Sequence, residues 1–474
     1  MDLDASPLAS EIDKIISDDN QQVNNSWDVE FRIREPNPIV LSTAENDVNF
    51  TDEKEKEKVY KPLKLLNIDF VRDYELNSAE EITLRCAIPL GLWFKVLFQY
   101  RDYLEVTLIK TPLHQLVDST DQDANVETEV YACVPKIDSS TSGEGKTIEQ
   151  YSRFELDLKG FVEVDFQLFD LSTECLRKVT VGGIWRRTTG MDTVKAILSN
   201  ESAKYKVKED PAIEKLNFVE ADNKEKREHV MIPHTVSLPL SAVARYVQST
   251  CGGIYSTGIN QFLQDKAWWV YPLYDTTRFD QEENTLTIFR VPQYRYNNIE
   301  RTYRVDGDRL YVLATSNTEF KDTTNVRYLN EGNGVRFADA RRYFADDLVE
   351  AKDNKAVAHR NKLVHEFVSE EVPAGNNVYV SKDAVNANPF VEYSKLARRK
   401  GSIYMFAWEN CNLSLVRPGM MVKIVYIKGD EIVELQGCLL KVHLSVALDG
   451  MAITATTYKN IAALAVFVNF EQEQ

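Results

Sequence analysis

The sequence predicts a mainly β protein with α+β parts, in which two barrel-like β domains flank a mixed helix and hairpin module. Apolar residues recur at every second position over about 66–184 and again over 402–468, which is the period of strands with one dry and one wet face. Between these regions lie helix start and stop signals. Aromatic residues make up 10 % of the chain, and such side chains are enriched in strands.

With 474 residues, the chain is longer than one hydrophobic core usually organises. We therefore predict several segments. They are an acidic, largely disordered N-terminal arm (1–60), a first β-barrel domain (61–185), an α+β middle module (186–300), a mixed insertion or linker region (301–387), and a second β-barrel domain with a leading helix (388–474).

The N-terminal arm carries six Lys/Arg and fifteen Asp/Glu, which is −9 of the formal net charge of −17. Such a composition contributes little apolar burial to offset the entropy of ordering. A small apolar set is spaced for one face of a short helix: Leu8, Ile12, Ile15 and Ile16. Two interpretations stay open, a disordered tail and an arm that orders on a neighbouring subunit.

The first β region shows the clearest alternation. Residues of one parity are apolar, namely Phe154, Leu156, Leu158, Val162, Val164, Phe166 and Leu168, with charged or polar residues between most of them. Gly160 fits a bend in this run. Further strands are expected at Ile82 to Cys86 and at Trp93 to Phe98. The region favours an antiparallel sandwich or a small barrel.

The middle region has helix signals. Thr188 or Thr189 can cap a helix, whose apolar face is Met191, Val194, Ile197 and Leu198. Ser237-Leu-Pro239 opens a second helix, stopped by Gly252-Gly253. A third helix is predicted over TGINQFLQDKA (257–267). It would lead into a hairpin made of WWVYPLYD (268–275) and LTIFRV (286–291).

In the C-terminal part, a weak pattern at Tyr343, Phe344 and Leu348 suggests a helix. Asn388-Pro389 opens a clearer helix, with basic residues in its last turn and Gly401 beyond it. Strands are then predicted at 402–408, 420–427, 431–437, 439–448 and 451–458. Turns at Gly429-Asp430 and Asp449-Gly450 suit hairpins.

The stretch SSTSGEGKT (139–147) ends like a phosphate-binding loop. That loop requires a glycine at the position of Ser140 and a following helix. Since IEQYSRFELDLKG turns into a strand pattern within a few residues, we interpret the stretch as a polar hairpin loop.

No metal, catalytic or cofactor residues are predicted. His229 and His234 are separated by Pro233, and His359 and His365 are six apart, so neither pair has the spacing of a helical zinc motif. There is no Gly-x-Ser-x-Gly elbow. Trp268-Trp269 could stack on a sugar or a base, although such a pair more often fills a core or a subunit contact.

Other classes of function find little support. No long basic stripe suits sequence-specific nucleic-acid binding. The acidic start lacks the apolar core of a secretory signal, and no apolar run is long enough to span a membrane. Six single cysteines are interpreted as small buried apolar residues: Cys86, Cys133, Cys175, Cys251, Cys411 and Cys438.

The last ninety residues resemble the C-terminal barrel of the baseplate or tail hub proteins of tailed phages. A helix ending in ARRKG is followed by a strand, by NLSLVRPGMMVKIVY, and by GCLLKVHLSVALDGMAITATTY. Pro418-Gly419, Val442-His443 and Ile453 to Tyr458 occupy the family's turn and strand positions. LRKVTVGGIWRRTTGMDTVKAILS (176–199) also looks like hub sequence. INQFLQDKAWWVYPL (259–273) resembles the helix-to-strand piece of its middle domain.

The resemblance implies a structural virion protein in the tail baseplate, without enzymatic activity or cofactor. It would be made in the host cytoplasm and would form a homotrimer. Two barrels in each of three subunits would then make a pseudo-sixfold ring that joins a sixfold tail tube to a threefold spike. Partners would be tube, spike and other baseplate proteins, and acidic wet faces would line a channel for passing DNA. The alternatives are a tube-initiator or wedge component and a particle-borne cell-wall hydrolase.

Overall fold

The computed structural model describes the chain over a set of ranges: 7–18, 25–34, 58–112, 126–136, 160–292, 301–320, 336–339, 349–352, 355–358, 378–381, 388–428, 431–448 and 458–469. The predicted loop SSTSGEGKT, the pair His359 and His365, the predicted helix at 343–348 and both predicted hairpin turns lie outside these residues. So do Phe154, Leu156 and Leu158, and all but the last residue of the strand predicted at 451–458.

The first sheet contains six antiparallel strands in the order β1-β4-β5-β6-β3-β2. Their bounds are β1 Asn25–Ile33, β2 Lys64–Asp73, β3 Glu81–Pro89, β4 Leu104–Pro112, β5 Glu127–Pro135 and β6 Phe161–Asp170. Two backbone hydrogen bonds of 2.8 and 2.9 Å join Phe31 to Tyr60, just before β2. The sheet therefore curves back on itself, and the predicted barrel-like first β region is confirmed.

Alternation along β6 places its apolar residues inside, as predicted. Val162, Val164, Phe166 and Leu168 are all buried, and Gly160 has a φ of +69° at the start of the strand. The strand predicted at Trp93 to Phe98 is wrong, because residues 90–97 form helical turns. Trp93 and Leu97 are four apart and both fully buried, which a helical turn allows and an alternating strand does not.

The N-terminal arm is more ordered than predicted. Helix α1 (Pro7–Ile16) buries Leu8, Ile12 and Ile15 against the second barrel, while Ile16 is 37 % exposed. Strand β1 pairs with β4 along its whole length. The expectation that residues 1–60 are largely disordered is thus wrong for 7–18 and 25–34. The acidic composition obscured a strand whose inward side chains, including Phe31, are buried.

The middle of the chain contains three helices and several short strands. They are α2 Leu171–Leu176, β7 Thr180–Val181, β8 Gly183–Thr188, α3 Gly190–Ser202, β9 Lys206–Val207, β10 Asp210–Pro211, β11 Lys215–Phe218, β12 Arg227–Ile232, β13 Leu238–Pro239, α4 Val243–Thr250, β14 Ile259–Gln264 and β15 Ala267–Pro272. Thr189 caps α3 by accepting a 3.0 Å hydrogen bond from the Asp192 N–H, and α4 follows Pro239, as predicted.

The third predicted helix is wrong. Residues 259–264 form β14, which pairs with β15 across a turn at Asp265 and Lys266, both with φ near +50°. That conformation at both central residues is the turn that joins tight hairpins. All six residues of β14 are buried, so the strand lacks the alternation that would have revealed it. The hairpin predicted from 268–275 and 286–291 is likewise wrong.

The remaining elements include the strands of the second barrel. They are β16 Thr285–Arg290, β17 Tyr303–Asp306, β18 Arg309–Phe320, β19 Arg336–Asp339, β20 Val349–Lys352, β21 Lys355–Ala358, β22 Val378–Ser381, α5 Pro389–Arg399, β23 Gly401–Glu409, β24 Met421–Lys428, β25 Glu431–Leu448 and β26 Tyr458–Asn469. Six of them close a ring in the order β25-β24-β16-β18-β23-β26, since β26 pairs again with β25. The predicted second barrel and the predicted helix α5 are confirmed.

Strand β25 joins the two β regions. Residues 431–438 pair with β24, residues 437–448 with β26, and residues 441–447 also with β2 of the first sheet. The strands predicted separately at 431–437 and 439–448 are therefore one 18-residue strand. Val442, Leu444 and Val446 are buried along it, as the alternation predicted. The result is one thirteen-stranded sheet.

The chain is mainly β with α+β parts, as predicted from the sequence. The division at 60, 185, 300 and 387 stays a prediction. Strands β16 and β18, from residues 285–320, lie in the ring of the second barrel, with β16 parallel to both β18 and β24. Five of the six cysteines are buried, as predicted, and Cys175 is half-buried.

Candidate functional site

The connection between β2 and β3, residues 74–80, lies where three parts of the fold meet. The Tyr74 N–H donates a 2.8 Å hydrogen bond to the Leu440 carbonyl of β25. The Leu263 N–H of β14 donates one of the same length to the Ser78 carbonyl. The first sheet, the β14–β15 hairpin and the second barrel thus meet at this connection. We call residues 74–80, together with the side chains that hydrogen-bond around them, the junction.

Arg72 is the central side chain of the junction and is 6 % exposed. Its Nε donates a 2.6 Å hydrogen bond to Glu80 Oε1, and its Nη1 donates to the carbonyls of Leu413 and Val416 at 2.7 and 3.2 Å. Burial disfavours the charge of Arg72, but the attraction of Glu80 outweighs it and raises the Arg72 pKa. The guanidinium therefore stays charged and ties β2 to the 413–416 connection.

Asn260 of β14 makes the second set of ties and is fully buried. Its Nδ2 donates to the carbonyls of Tyr74 and Asn77 at 2.6 and 2.9 Å, and its Oδ1 accepts from Arg245 Nε at 3.0 Å. The Tyr271 hydroxyl also donates to the Tyr74 carbonyl at 2.9 Å. Burial raises the Tyr271 pKa well above its usual value, so this hydroxyl keeps its proton.

Two further pairs hold neighbouring elements. Arg34, after β1, donates from both Nη atoms to the carboxylate of Glu174 in α2, with Nη2 at 2.8 Å from Oε1. Glu75 accepts a 2.6 Å hydrogen bond from the Tyr274 hydroxyl and forms a 3.1 Å ion pair with Arg398 of α5. The first pair thus connects β1 to α2, and Glu75 connects the junction to α5.

A cavity of about 270 Å³ adjoins the junction between the first sheet and the second barrel. Arg72 and Glu80 are in its wall, together with Trp27 of β1 and Asn460 of β26. Within the described ranges, Trp27 Nε1 and Asn460 Oδ1 are buried without a hydrogen-bond partner. A space of this size accommodates several water molecules, which would satisfy both atoms.

The residues singled out in the sequence lie apart from the junction. Trp268 is 1 % exposed and its Nε1 donates to Ser202 Oγ at 3.0 Å, so the core interpretation of this residue is confirmed. Trp269 is half-buried. His229 is exposed on β12, and His234 packs over Gly182 in the turn after that strand.

Arg72 and Asn260 were missed by the sequence analysis. Arg72 has the same parity as the inward residues Ile68 and Phe70, so a charged residue at an inward position was a usable signal. Asn260 gave no such signal, because its strand was interpreted as a helix. In the described part of the chain, no group of His, Cys, Asp and Glu side chains has the arrangement of a metal site.

Searches of family models and of curated proteins find no match. Solved structures do match. The tail protein from Neisseria meningitidis MC58 is 11 % identical, with a TM-score of 0.42 over 93 % of this chain and 96 % of that one. The prophage MuSo2 43 kDa tail protein from Shewanella oneidensis is 10 % identical, with a TM-score of 0.41 over the same shares.

A third match is a chain of the Francisella PdpA-VgrG complex, which is 9 % identical with a TM-score of 0.43. The match covers 98 % of this chain and 55 % of that one. In the described residues, no helix is both long and apolar enough to cross a membrane. The structures to which the chain is similar thus include a prophage tail protein and another tail protein.

Proposed function

We propose that the protein is a structural component of a phage tail or baseplate. More specifically, it is the hub that adapts a sixfold tail tube to a threefold spike, as a homotrimer in the virion. Tube, spike and other baseplate proteins are its partners. It performs no catalysis and needs no cofactor, and its role is to hold symmetry-mismatched neighbours together while force passes through it.

The single observation that carries this proposal is the sharing of β25 between the two β regions. Because residues 441–447 pair with β2 while residues 437–448 pair with β26, the two regions cannot separate without breaking a ladder of backbone hydrogen bonds. The junction adds the ties of Arg72 and Asn260. A rigid pair of β units suits a ring that transmits force. Three copies of such a pair present six β units, as the match to a sixfold tube requires.

The first experiment is the native mass of the purified full chain by light scattering, followed by averaged electron images of the same peak. Three subunits with six similar lobes are the expected result. Gold-labelled antibody on intact particles should mark the end of the tail tube. Protein absent from purified particles would overturn the proposal, and clearing of a peptidoglycan suspension would favour the cell-wall hydrolase.

The channel of the ring is proposed to be lined by acidic wet faces. The formal net charge of −17 supports this, because a negative wall repels passing DNA. A cryo-EM map with a strongly positive lumen would contradict it. A sixfold or asymmetric assembly in the same images would point to a tube-initiator or wedge component.

A further inference from the structure

The two-stranded sheet formed by β8 and β12 presents one exposed face. Register places Ile184 opposite Met231, and Arg186 opposite His229, and cross-strand partners project from the same face of a sheet. Ile184 is 59 % exposed and Met231 54 %, and both basic residues are exposed as well. On the opposite face Val230 is fully buried. We call the exposed set the ribbon face.

The ribbon face combines apolar and basic side chains. Glu228 is the acidic residue of these two strands, and it has the opposite parity from His229 and Met231. Arg186 therefore gives the face a positive charge beside an apolar pair, on a chain whose formal net charge is −17. A surface of that kind fits an acidic surface with its own apolar contact.

The second barrel offers such a surface beside helix α1. A groove of about 430 Å³ is lined by Glu11, Asp280, Glu282 and Glu434 and by two basic residues, Arg309 and Lys423. Within the chain, Glu11 is paired with Lys14, Glu282 with Arg278 and Glu434 with Lys423, so Asp280 is the carboxylate of this groove that can pair with a second copy. Ile432, also in its wall, is 42 % exposed. Asp280 is exposed, and the described ranges give it no ion-pair partner. We call this surface the acidic groove.

We propose that the ribbon face of one copy of this chain docks on the acidic groove of a second copy. Ile184 and Met231 then cover Ile432, and Arg186 approaches the Asp280 carboxylate. Because the two surfaces differ, the contact is heterologous, and repetition of a heterologous contact closes into a ring when the rotation allows it. This inference rests on the proposed function, since it names the contact that would build the hub.

The test is a charge swap measured by sedimentation of the full chain over a range of concentrations. Arg186→Glu and Asp280→Arg should each weaken self-association at least tenfold, and the double variant should recover most of it. Leu63→Asp is the control. Leu63 is 54 % exposed and lies just before β2, beside Ala87 of β3, so this variant should associate like the wild type. Thermal melts verify that each variant is folded.

A second measurement identifies the surfaces without destabilising changes. A photo-crosslinking residue at position 184 should form crosslinks to peptides containing residues 279–283 or 431–434, found by mass spectrometry in the dimer band. Crosslinks elsewhere, single variants that associate normally, or a double variant that fails to recover would each overturn the inference. So would a wild-type chain that stays monomeric at every concentration.

Failure of this inference and failure of the proposed function give different results. If the chain is present at the tail end of purified particles but the charge swap has no effect on association, only the contact is wrong. If the charge swap behaves as expected but the chain is absent from particles, the contact stands and the hub function is wrong.

Discussion

Arg34 and Glu174 form a two-pronged ion pair between the end of β1 and helix α2, across 140 residues of sequence. Their side chains are 22 % and 17 % exposed. The pair fastens the N-terminal strand to the part of the chain that leads into the middle helices. It is a long-range tie in a segment whose composition suggested disorder.

Because of this pair, the free energy of unfolding should decrease as the pH becomes acidic. Burial opposes the Glu174 charge, but the hydrogen bonds and charge of Arg34 outweigh burial and lower its pKa. Because the folded-state pKa is below the unfolded-state value, the stabilisation is present above about pH 4.3 and is lost as the pH falls through the folded-state pKa. Urea unfolding across this range should show the loss.

Glu174→Gln should lower the free energy of unfolding at pH 7 by about 2 kcal/mol and flatten its acid dependence. The matched control is Glu201→Gln, which removes the exposed neighbouring pair of Glu201 with Lys204 and should change stability by no more than about 0.5 kcal/mol. Equal effects of the two substitutions would contradict a stabilising role of the Arg34–Glu174 ion pair.

Removing the charge of Arg72 should lower the free energy of unfolding substantially. Arg72→Met leaves Glu80 without its cation and two carbonyls without a donor, which we expect to destabilise the protein by about 3–5 kcal/mol. The double variant with Glu80→Met should recover part of that loss, because no uncompensated charge remains. Tryptophan fluorescence during urea unfolding measures both, and a loss below about 1 kcal/mol in the single variant would count against the junction.

Gly437 should tolerate no side chain. It lies where β25 pairs with both β24 and β26, and an added Cβ would be 2.3 Å from the Phe467 carbonyl oxygen and 2.9 Å from Val466 Cγ1. Gly437→Ala should therefore destabilise the second barrel by about 1–3 kcal/mol. Gly91→Ala, with nothing within 4 Å of its Cβ, is the control. A melting temperature equal for the two variants would be the unexpected result.

N-terminal truncations should distinguish the contribution of α1 to stability from the contribution of β1. Deleting residues 1–18 removes a helix that packs on the second barrel, and the first sheet should keep its cooperative unfolding. Deleting residues 1–34 also removes β1, whose Val29 and Phe31 are buried, and should abolish that cooperativity. Hydrogen exchange of β4 distinguishes the two. Unchanged protection of β4 after the longer deletion would mean that β1 is dispensable.

The shorter deletion should also weaken self-association, because α1 carries Glu11 of the acidic groove. Light scattering of the shortened chain measures this.

Alternation predicted much of the fold because, in a strand with one exposed face, the alternation of polar and apolar residues shows which side chains face the core. It identified β6 and the second half of β25, and capping signals at Thr189 and Asn388-Pro389 identified two helices. Alternation failed at β14, where both faces are buried. It also failed at Trp93 to Phe98, where an apolar run forms helical turns and Trp93 packs against Phe166 of β6.

The sequence by itself determined the mainly β class, the existence of two β regions, and the inward and outward faces of their amphipathic strands. These follow from local periodicity and turn chemistry. Only the tertiary structure decided that β25 serves both β regions, that β16 and β18 complete the second barrel, and that Arg72 and Asn260 tie the junction. Those features depend on contacts between residues up to several hundred positions apart. The local sequence of a strand does not determine which other strand it pairs with.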